Sequence, residues 1–287
     1  MTGSTALTRR DLEVARTFLF VPATRPDQFD KAVASGADVV IIDLEDAVAA
    51  QDKAAARDNV AAWLAGGGRA AVRVNGVHTP WFEGDMVAAA AAGAVVLPKV
   101  ESARDVEMLG AVGFGDVPLI PLLETPKGVL AAEHVCSRAE VVRVGFGNVD
   151  FAACVGVDPA SHMALTHARS HLVYASSAAG CAAPIDGVTT AIGDTNRLLS
   201  DTTHARDLGF RAKLLIHPSQ VGPVWDVFRP TGHEVRWARS VLKEVSGGVG
   251  VFEGQMVDEP VLIRARRLLA DAQDRPVSDV AVEDVTQ

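Results

Sequence analysis

Eight short runs of β-branched and other apolar residues recur along the chain up to Gln220, and longer segments rich in Ala and Leu separate them. This alternation is typical of successive units of one β-strand and one α-helix. Most of the runs are apolar throughout, which indicates strands buried on both faces, as in a parallel sheet covered by helices. The eight runs are Thr17–Pro22, Asp38–Asp46, Ala70–Gly76, Ala94–Glu101, Pro118–Thr125, Val141–Asp150, Ala183–Thr190 and Lys213–Gln220.

Eight consecutive strand–helix units predict an α/β fold of the (β/α)8 TIM barrel type, with an open doubly wound sheet as the alternative. A dinucleotide-binding sheet is disfavoured because the Gly-Phe-Gly-Asn stretch at 145–148 lacks a third glycine and does not follow the first strand. Beyond the eighth run the chain continues with a helix-like segment, a glycine-rich stretch and a second helix-like segment. We therefore predict a catalytic barrel domain over residues 1–222 and a C-terminal helical lid and oligomerisation extension over residues 223–287.

Charge and composition narrow the classes of partner. The net charge of −9 and the pI near 5.4 disfavour a nucleic acid or an anionic membrane, since both attract basic surfaces. The longest apolar run, Met86–Leu97, is too short and too rich in Ala and Gly to span a bilayer. The three cysteines form no CxxC pair, so we predict a reducing, cytoplasmic location. A small anionic substrate would then need a local Arg or Lys.

Polar residues end most of the runs, and in a (β/α)8 barrel the chemistry lies at the carboxyl ends of the strands. Glu124 ends the fifth run and Asp150 ends the sixth, so the two carboxylates are predicted to be neighbours on the rim. Mg²⁺ commonly takes one or two protein carboxylates and completes its octahedron with water and substrate oxygens. The residues therefore predict an open metal site, although a single terminal acid is more often a helix cap or a turn residue.

A second set of polar residues lies on the neighbouring strands. Asp43 and Glu45 share one face of the second run, and Arg73 lies in the third. Arg73 is predicted either to hold a substrate carboxylate in a bidentate fork or to be a buried partner of Asp43 or Glu45. Lys99 and His217 are also expected at the rim, where a salt bridge or a structural hydrogen bond is favoured over a chemical role.

Seven motifs occur along the chain in the order "RTFLFVPATRPDQFDKA", "DVVIIDLEDAV", "AVRVNG", "VVLPKVES", "PLLETPKGV", "VGFGNVDF" and "GFRAKLLIHPSQV". In this order they resemble the HpcH/HpaI aldolase/citrate lyase β-subunit family. The resemblance extends from Arg16 to Ala270, and its specificity comes from the order and spacing of the motifs, since each motif alone would be weak. The family's fold is a (β/α)8 barrel, in agreement with the strand count.

The resemblance implies roles for residues of this chain. Glu124 and Asp150 would ligate Mg²⁺, with Mn²⁺ as a substitute, and Arg73 would hold the carboxylate of a 2-oxo acid. Asp43 and Glu45 would lie around the waters of the metal. The pair Arg25 and Pro26 resembles part of the family's edge for binding an acyl-CoA.

A further resemblance concerns the C-terminal extension. The stretch "GQMVDEPVLIRARRLLA" is similar to the lid of the malyl-CoA and citramalyl-CoA lyase branch, where an aspartate, here Asp258, serves as acid/base in a neighbouring subunit's active site. This implies a homo-oligomer, a trimer or a hexamer, and the glycine-rich stretch Ser246–Gly254 is the predicted hinge. The alternative is that Asp258 only precedes the helix that Pro260 begins, as its N-cap.

The activity implied by the resemblance is a Mg²⁺-dependent carbon–carbon lyase. It would cleave a 3-hydroxyacyl-CoA thioester, such as malyl-CoA or citramalyl-CoA, into acetyl-CoA and a 2-oxo acid, or catalyse the reverse. The alternatives are a β subunit of a citrate lyase complex that acts on a carrier-bound citryl thioester, a malyl-CoA thioester hydrolase, and a non-catalytic binding subunit. Val149 and Cys154 depart from the family pattern around Asp150, which leaves the acyl group open.

Overall fold

The eight predicted strands form a closed parallel barrel in which each strand pairs with its neighbours in chain order and the eighth pairs with the first. The structure, a computed structural model, describes residues 7–245 and 249–273. The predicted (β/α)8 barrel is therefore confirmed. The strands are β1 (Thr17–Pro22), β2 (Val39–Asp43), β3 (Ala71–Arg73), β4 (Ala94–Leu97), β5 (Leu119–Leu123), β6 (Gly145–Phe146), β7 (Ile185–Asp186) and β8 (Ala212–Leu215).

Helices lie before, between and after the strands, and those between consecutive strands cover the outside of the barrel. They are α1 (Arg9–Val14), α2 (Phe29–Ala34), α3 (Lys53–Ala65), α4 (Phe82–Ala88), α5 (Ala103–Ala111), α6 (Pro126–Leu130), α7 (Ala132–Cys136), α8 (Asn148–Val155), α9 (His162–Ala178), α10 (Thr195–Leu208), α11 (Val221–Phe228), α12 (Gly232–Glu244) and α13 (Glu259–Gln273). Short 3₁₀ turns lie at Pro26–Gln28, Ala50–Asp52 and Pro218–Gln220.

Two apolar clusters account for the burial of both faces of the strands. One cluster consists mainly of strand residues such as Phe18, Ile41 and Val96, and it fills the barrel. The other combines the intervening strand residues, such as Val40, with residues of the covering helices. Because side chains alternate along a strand, Asp43 and Arg73 continue the inward-facing rows at the carboxyl ends of β2 and β3.

Seven of the eight strands are shorter than the runs that predicted them, and this corrects the expected place of Asp150. β6 ends at Phe146, and the chain turns at Gly147 directly into α8, so Asp150 lies in the first turn of a helix and not at the end of a strand. A carboxylate in a first helical turn is favoured by the helix dipole. Glu124, in contrast, directly follows β5, as predicted.

The described residues divide into two compact units, with the boundary between Phe228 and Arg229. The boundary expected at 222/223 would cut α11, whose buried Val224 and Phe228 pack in the core of the first unit. The second unit contains α12, an antiparallel hairpin of β9 (Gly250–Phe252) and β10 (Gln255–Val257), and α13. It has a small apolar core of its own around Val241 and Leu262.

The structure describes only part of the predicted hinge Ser246–Gly254, because residues 246–248 lie outside the described residues.

Within the described part of the chain, no helix is both long enough and apolar enough to cross a membrane.

Candidate active site at the carboxyl ends of β2 to β6

Arg73 is bound by the carboxylate of Asp43 in a bidentate pair. Arg73 Nε donates to Asp43 Oδ1 at 2.7 Å, and Nη2 donates to Oδ2 at 2.6 Å. Asp43 also accepts the backbone N–H groups of Glu45 and Ala47, at 2.8 and 3.2 Å. These contacts engage both oxygens of Asp43, so its position is that of a partner for Arg73 and for the turn after β2.

Glu45 lies between two cations. One of its oxygens lies 3.1 Å from Arg73 Nη1, and the other accepts a short hydrogen bond from Lys99 Nζ. Glu45 is buried, and burial raises the pKa of its carboxyl although Arg73 and Lys99 oppose the rise. The buried-partner interpretation of Arg73 thus describes its contacts in the structure. Asp43 thus engages the Nε–Nη2 edge of the guanidinium, and Glu45 lies beside Nη1.

Glu124 is buried where β5 gives way to α6. Thr125 caps α6 with its side chain and Pro126 occupies the first turn, so the chain turns immediately after the carboxylate. Glu124 Oε1 accepts the backbone N–H of Lys99 at 2.6 Å. Burial, together with the negative charges of Glu45 and Asp150, raises the pKa of Glu124 to about 8.

Lys99 and Gly147 support this carboxylate in ways that the sequence did not reveal. Lys99 has a φ of 54°, unusual for a residue with a side chain, and this conformation directs its N–H to Glu124 and its ammonium to Glu45. At Gly147, an added Cβ would collide with the Cβ and Oε2 of Glu124. The Gly-X-Gly motif indicated a turn, but no sequence signal identified the carboxylate that approaches it.

Glu124 and Asp150 face one cavity of about 460 Å³. Asp150 reaches the cavity from α8, and Lys99 also lines it. Other lining residues are His78, Thr79, Glu101, Lys127 and Cys154. The structure therefore brings the two predicted metal ligands together at the rim, although Asp150 comes from a helix.

The ionisable groups electrostatically linked to Glu45, Glu124 and Lys53 include more acids than cations. Apart from Asp85, which pairs with Arg57, they comprise five carboxyl groups and three cations. The carboxyl groups are Asp43, Glu45, Asp46, Glu124 and Asp150, and the cations are Arg73, Lys99 and Lys53. A divalent cation bound here would reduce this excess of acids.

No group of three or more His, Cys, Asp or Glu side chains with metal-binding geometry occurs among residues 7–245 and 249–273. A closed structural site of the zinc type is therefore absent from that part of the chain. Two carboxylate oxygens with free space beside them fit the requirements of Mg²⁺, which usually retains water and substrate oxygens in its octahedron.

The contacts of the other predicted residues are with near neighbours in the sequence. Arg25 is exposed and pairs with Asp27 at 3.0 Å, and Pro26 begins the 3₁₀ turn after β1. His217 accepts the backbone N–H of Ser219 at 3.2 Å, a structural hydrogen bond. Asp258 belongs to the second unit and directly precedes α13, where its carbonyl accepts the N–H groups of Val261 and Leu262.

Comparison with known proteins gives this geometry a context. Residues 16–218 match the family described as HpcH/HpaI aldolase/citrate lyase. The chain is 37% identical to a citrate lyase subunit beta-like protein of Deinococcus radiodurans, over 89% of this chain and 96% of that protein. It is 33% identical to a (3S)-malyl-CoA thioesterase of Cereibacter sphaeroides, over 90% and 94% of the two chains.

A solved structure is similar over nearly the same length. It is that of CitE from Mycobacterium tuberculosis in complex with magnesium, acetoacetate and coenzyme A, with a TM-score of 0.79 and 35% identity over 91% of this chain and 99% of that one. The family match covers most of the barrel, and these identities extend beyond it. The chain therefore belongs to the HpcH/HpaI aldolase/citrate lyase family of enzymes.

Proposed function

We propose that this protein is a Mg²⁺-dependent carbon–carbon lyase that cleaves a 3-hydroxyacyl-CoA thioester, such as malyl-CoA or citramalyl-CoA, into acetyl-CoA and a 2-oxo acid, or catalyses the reverse. The observation that carries the proposal is a buried carboxyl group, Glu124, which shares a cavity with Asp150 and has a pKa raised to about 8 by burial and by the negative charges of Glu45 and Asp150. A cation would relieve that crowding.

Glu124 and Asp150 are the residues that would hold the Mg²⁺ ion. The bound ion would supply Lewis acidity at the oxygen atoms next to the bond that breaks. Support comes from the relative in M. tuberculosis, whose structure contains magnesium, acetoacetate and coenzyme A together. Mn²⁺ has the same preference for oxygen ligands, so we expect it to substitute.

Arg73 would bind the carboxylate of the 2-oxo acid half of the substrate. Asp43 engages the Nε–Nη2 edge, so the substrate carboxylate would use the remaining Nη1–Nη2 edge. Asp43 then orients the guanidinium, and Glu45 adjusts the charge beside it. This assignment replaces the expectation that Asp43 lies around the waters of the metal.

Cleavage requires that the substrate hydroxyl lose its proton while the carbon–carbon bond breaks, which leaves the enolate of the acetyl thioester. The enolate carbon must then receive a proton, so the reaction as a whole neither consumes nor releases one. We propose Asp258 of a neighbouring subunit as this acid, and as the base in the condensing direction. Arg25 and Pro26 would lie along the CoA moiety.

The assay that tests the proposal follows two products separately. Purified protein with Mg²⁺ is given malyl-CoA, citramalyl-CoA, methylmalyl-CoA and citryl-CoA, and free CoA and 2-oxo acid are measured. A lyase releases a 2-oxo acid without free CoA. Free CoA without a 2-oxo acid would instead support the thioesterase, an alternative favoured by the relative of that name. Inactivity on every free thioester would favour a carrier-dependent subunit or a binding protein.

The role of Asp258 has its own test. Asp258→Asn is expected to remove most cleavage while it preserves oligomerisation and metal binding. Mixing it with Glu124→Ala under conditions of subunit exchange is expected to restore part of the activity through hybrid sites. Proven exchange without restoration would contradict a site shared between subunits.

A further inference from the structure

Behind the site lies a buried ammonium that the proposed reaction does not use. Lys53, the first residue of α3, is 5% exposed. Its Nζ donates to the backbone oxygens of Leu44 and Glu45 at 2.7 and 2.8 Å, and to Asn75 Oδ1 at 2.8 Å. These three acceptors engage all three ammonium hydrogens.

Asn75 and Asp85 extend the same network. Asn75 Nδ2 donates to Leu44 O at 2.9 Å and to Asp85 Oδ2 at 2.5 Å. The backbone N–H of Asn75 also donates to Asp85 Oδ2, at 2.8 Å, and Asp85 is fully buried. The network therefore joins the carboxyl ends of β2 and β3, the two strands that bear Asp43 and Arg73.

The turn after β2 is thus held from both sides. Asp43 binds the N–H groups of Glu45 and Ala47, while Lys53 binds the carbonyls of Leu44 and Glu45. Glu45 lies in the middle of this turn, and its backbone direction decides whether its carboxylate reaches Arg73 and Lys99.

We propose that Lys53 is a positioning residue, which fixes segment 44–48 so that Glu45 stays beside Arg73 and Arg73 is presented to the carboxylate of a 2-oxo acid. The inference rests on the proposed function for the identity of that ligand. Burial of a lysine is costly, and an apolar residue of similar volume would serve packing equally well. Two of the three contacts of the ammonium are with main-chain oxygens of segment 44–48, which packing does not require.

The chain offers a matched control in Lys213. It is also buried, at 1% exposed, and its Nζ donates to Asp186 Oδ2 and to Gly187 O, both at 2.7 Å. Lys53→Met and Lys213→Met therefore make the same change in the same barrel, but only the first removes donors from segment 44–48. Lys53→Gln, which keeps two N–H donors, is the milder variant if Lys53→Met does not fold.

The experiment measures two quantities in each folded variant. Hydrogen exchange of the peptide spanning 44–48 is expected to accelerate in the Lys53 variants and to stay at the wild-type rate in Lys213→Met. The Kd of pyruvate at saturating Mg²⁺, measured by calorimetry, is expected to rise about tenfold in Lys53→Met, the effect of removing a supporting contact behind a ligand site. Lys213→Met should keep the wild-type Kd.

Unchanged exchange in segment 44–48, or faster exchange with an unchanged Kd, would overturn the inference. An equal rise of Kd in Lys213→Met would also overturn it, because the effect would then be a general loss of stability. Wild-type protein that binds no pyruvate would contradict the proposed function, and hydrogen exchange would still decide for or against the clamp on segment 44–48.

Discussion

Two buried ionic clusters in this barrel use the same residue types and differ in balance. At β7 and β8, Asp186 is bound by Arg169 and Lys213, each at 2.7 Å, so two cations share one acid. Burial alone would raise the pKa of Asp186, but the two cations lower it below its ordinary value. At β2 to β6 the acids outnumber the cations, and the pKa of Glu124 rises to about 8.

This difference in charge balance distinguishes a structural cluster from the proposed metal-binding site. The Asp186 carboxylate has a cation at each of its oxygens, so this acid needs no further cation to remain ionised. The Glu124 cluster has an excess of acids, and Glu124 faces the cavity in which we propose that a cation binds. Burial alone would not distinguish them, because Asp186 and Glu124 are both almost fully buried.

The strongest test of this contrast removes one acid from the unbalanced cluster. Glu124→Ala, and separately Asp150→Ala, should lower turnover by more than about 100-fold, since loss of residues that merely support metal ligands already costs 10–100-fold. Excess chelator should abolish wild-type turnover in the same assay. Full activity with chelator present would show that no metal is needed.

The next test makes one chemical change in both clusters. Asp186→Asn leaves two buried cations without their acid and should lower the free energy of unfolding by about 3–5 kcal/mol. Glu124→Gln in metal-free protein replaces a carboxyl that must take up a proton on folding at pH 7, because its pKa is raised to about 8, and should leave that free energy unchanged or raise it. Urea unfolding at pH 7 measures both, and equal losses would contradict the contrast.

A smaller effect is expected at Arg73. Arg73→Lys keeps the charge but loses the planar fork, so the affinity for glyoxylate or pyruvate should weaken by about 1.5–3 kcal/mol. The Michaelis constant of the 2-oxo acid in the condensing direction reports this loss. A wild-type value would mean that Arg73 serves only as the buried partner of Asp43.

The smallest expected effect is a loss of stability at acidic pH. The pKa of Asp186 is lowered in the folded protein, so its stabilisation is complete above the unfolded pKa, near 3.8. It is lost as the pH falls from that value through the folded pKa. Urea unfolding from pH 5 down to pH 3 should therefore show a wild-type decline that is weaker in Asp186→Asn. Parallel declines would contradict the lowered pKa.

The sequence predicted the barrel well because each strand lies in an apolar run that is followed by polar residues. It predicted strand ends less well: the polar residues after β6 belong to a helix, so Asp150 was expected on the wrong element. Periodicity reports burial, and it does not report where backbone hydrogen bonding stops.

The supporting residues of the site were harder to predict. Lys53 begins an ordinary helix, and lysine is a residue type that is mostly exposed to solvent. In this protein it is buried against the carbonyls of another segment. The positive φ of Lys99 has no local sequence signal, since such conformations usually mark glycine. Both depend on contacts between residues that are distant along the chain.

The close approach of Gly147 to Glu124 has a practical consequence for genetics. Gly147→Ala adds one methyl group that must displace the carboxylate, yet it alters no charged residue and no predicted ligand. Such an allele would give cells a full-length protein with its ionisable groups intact and its metal site misplaced. Cells with this allele should show a phenotype that results from loss of catalysis, but not one that results from absence of the protein.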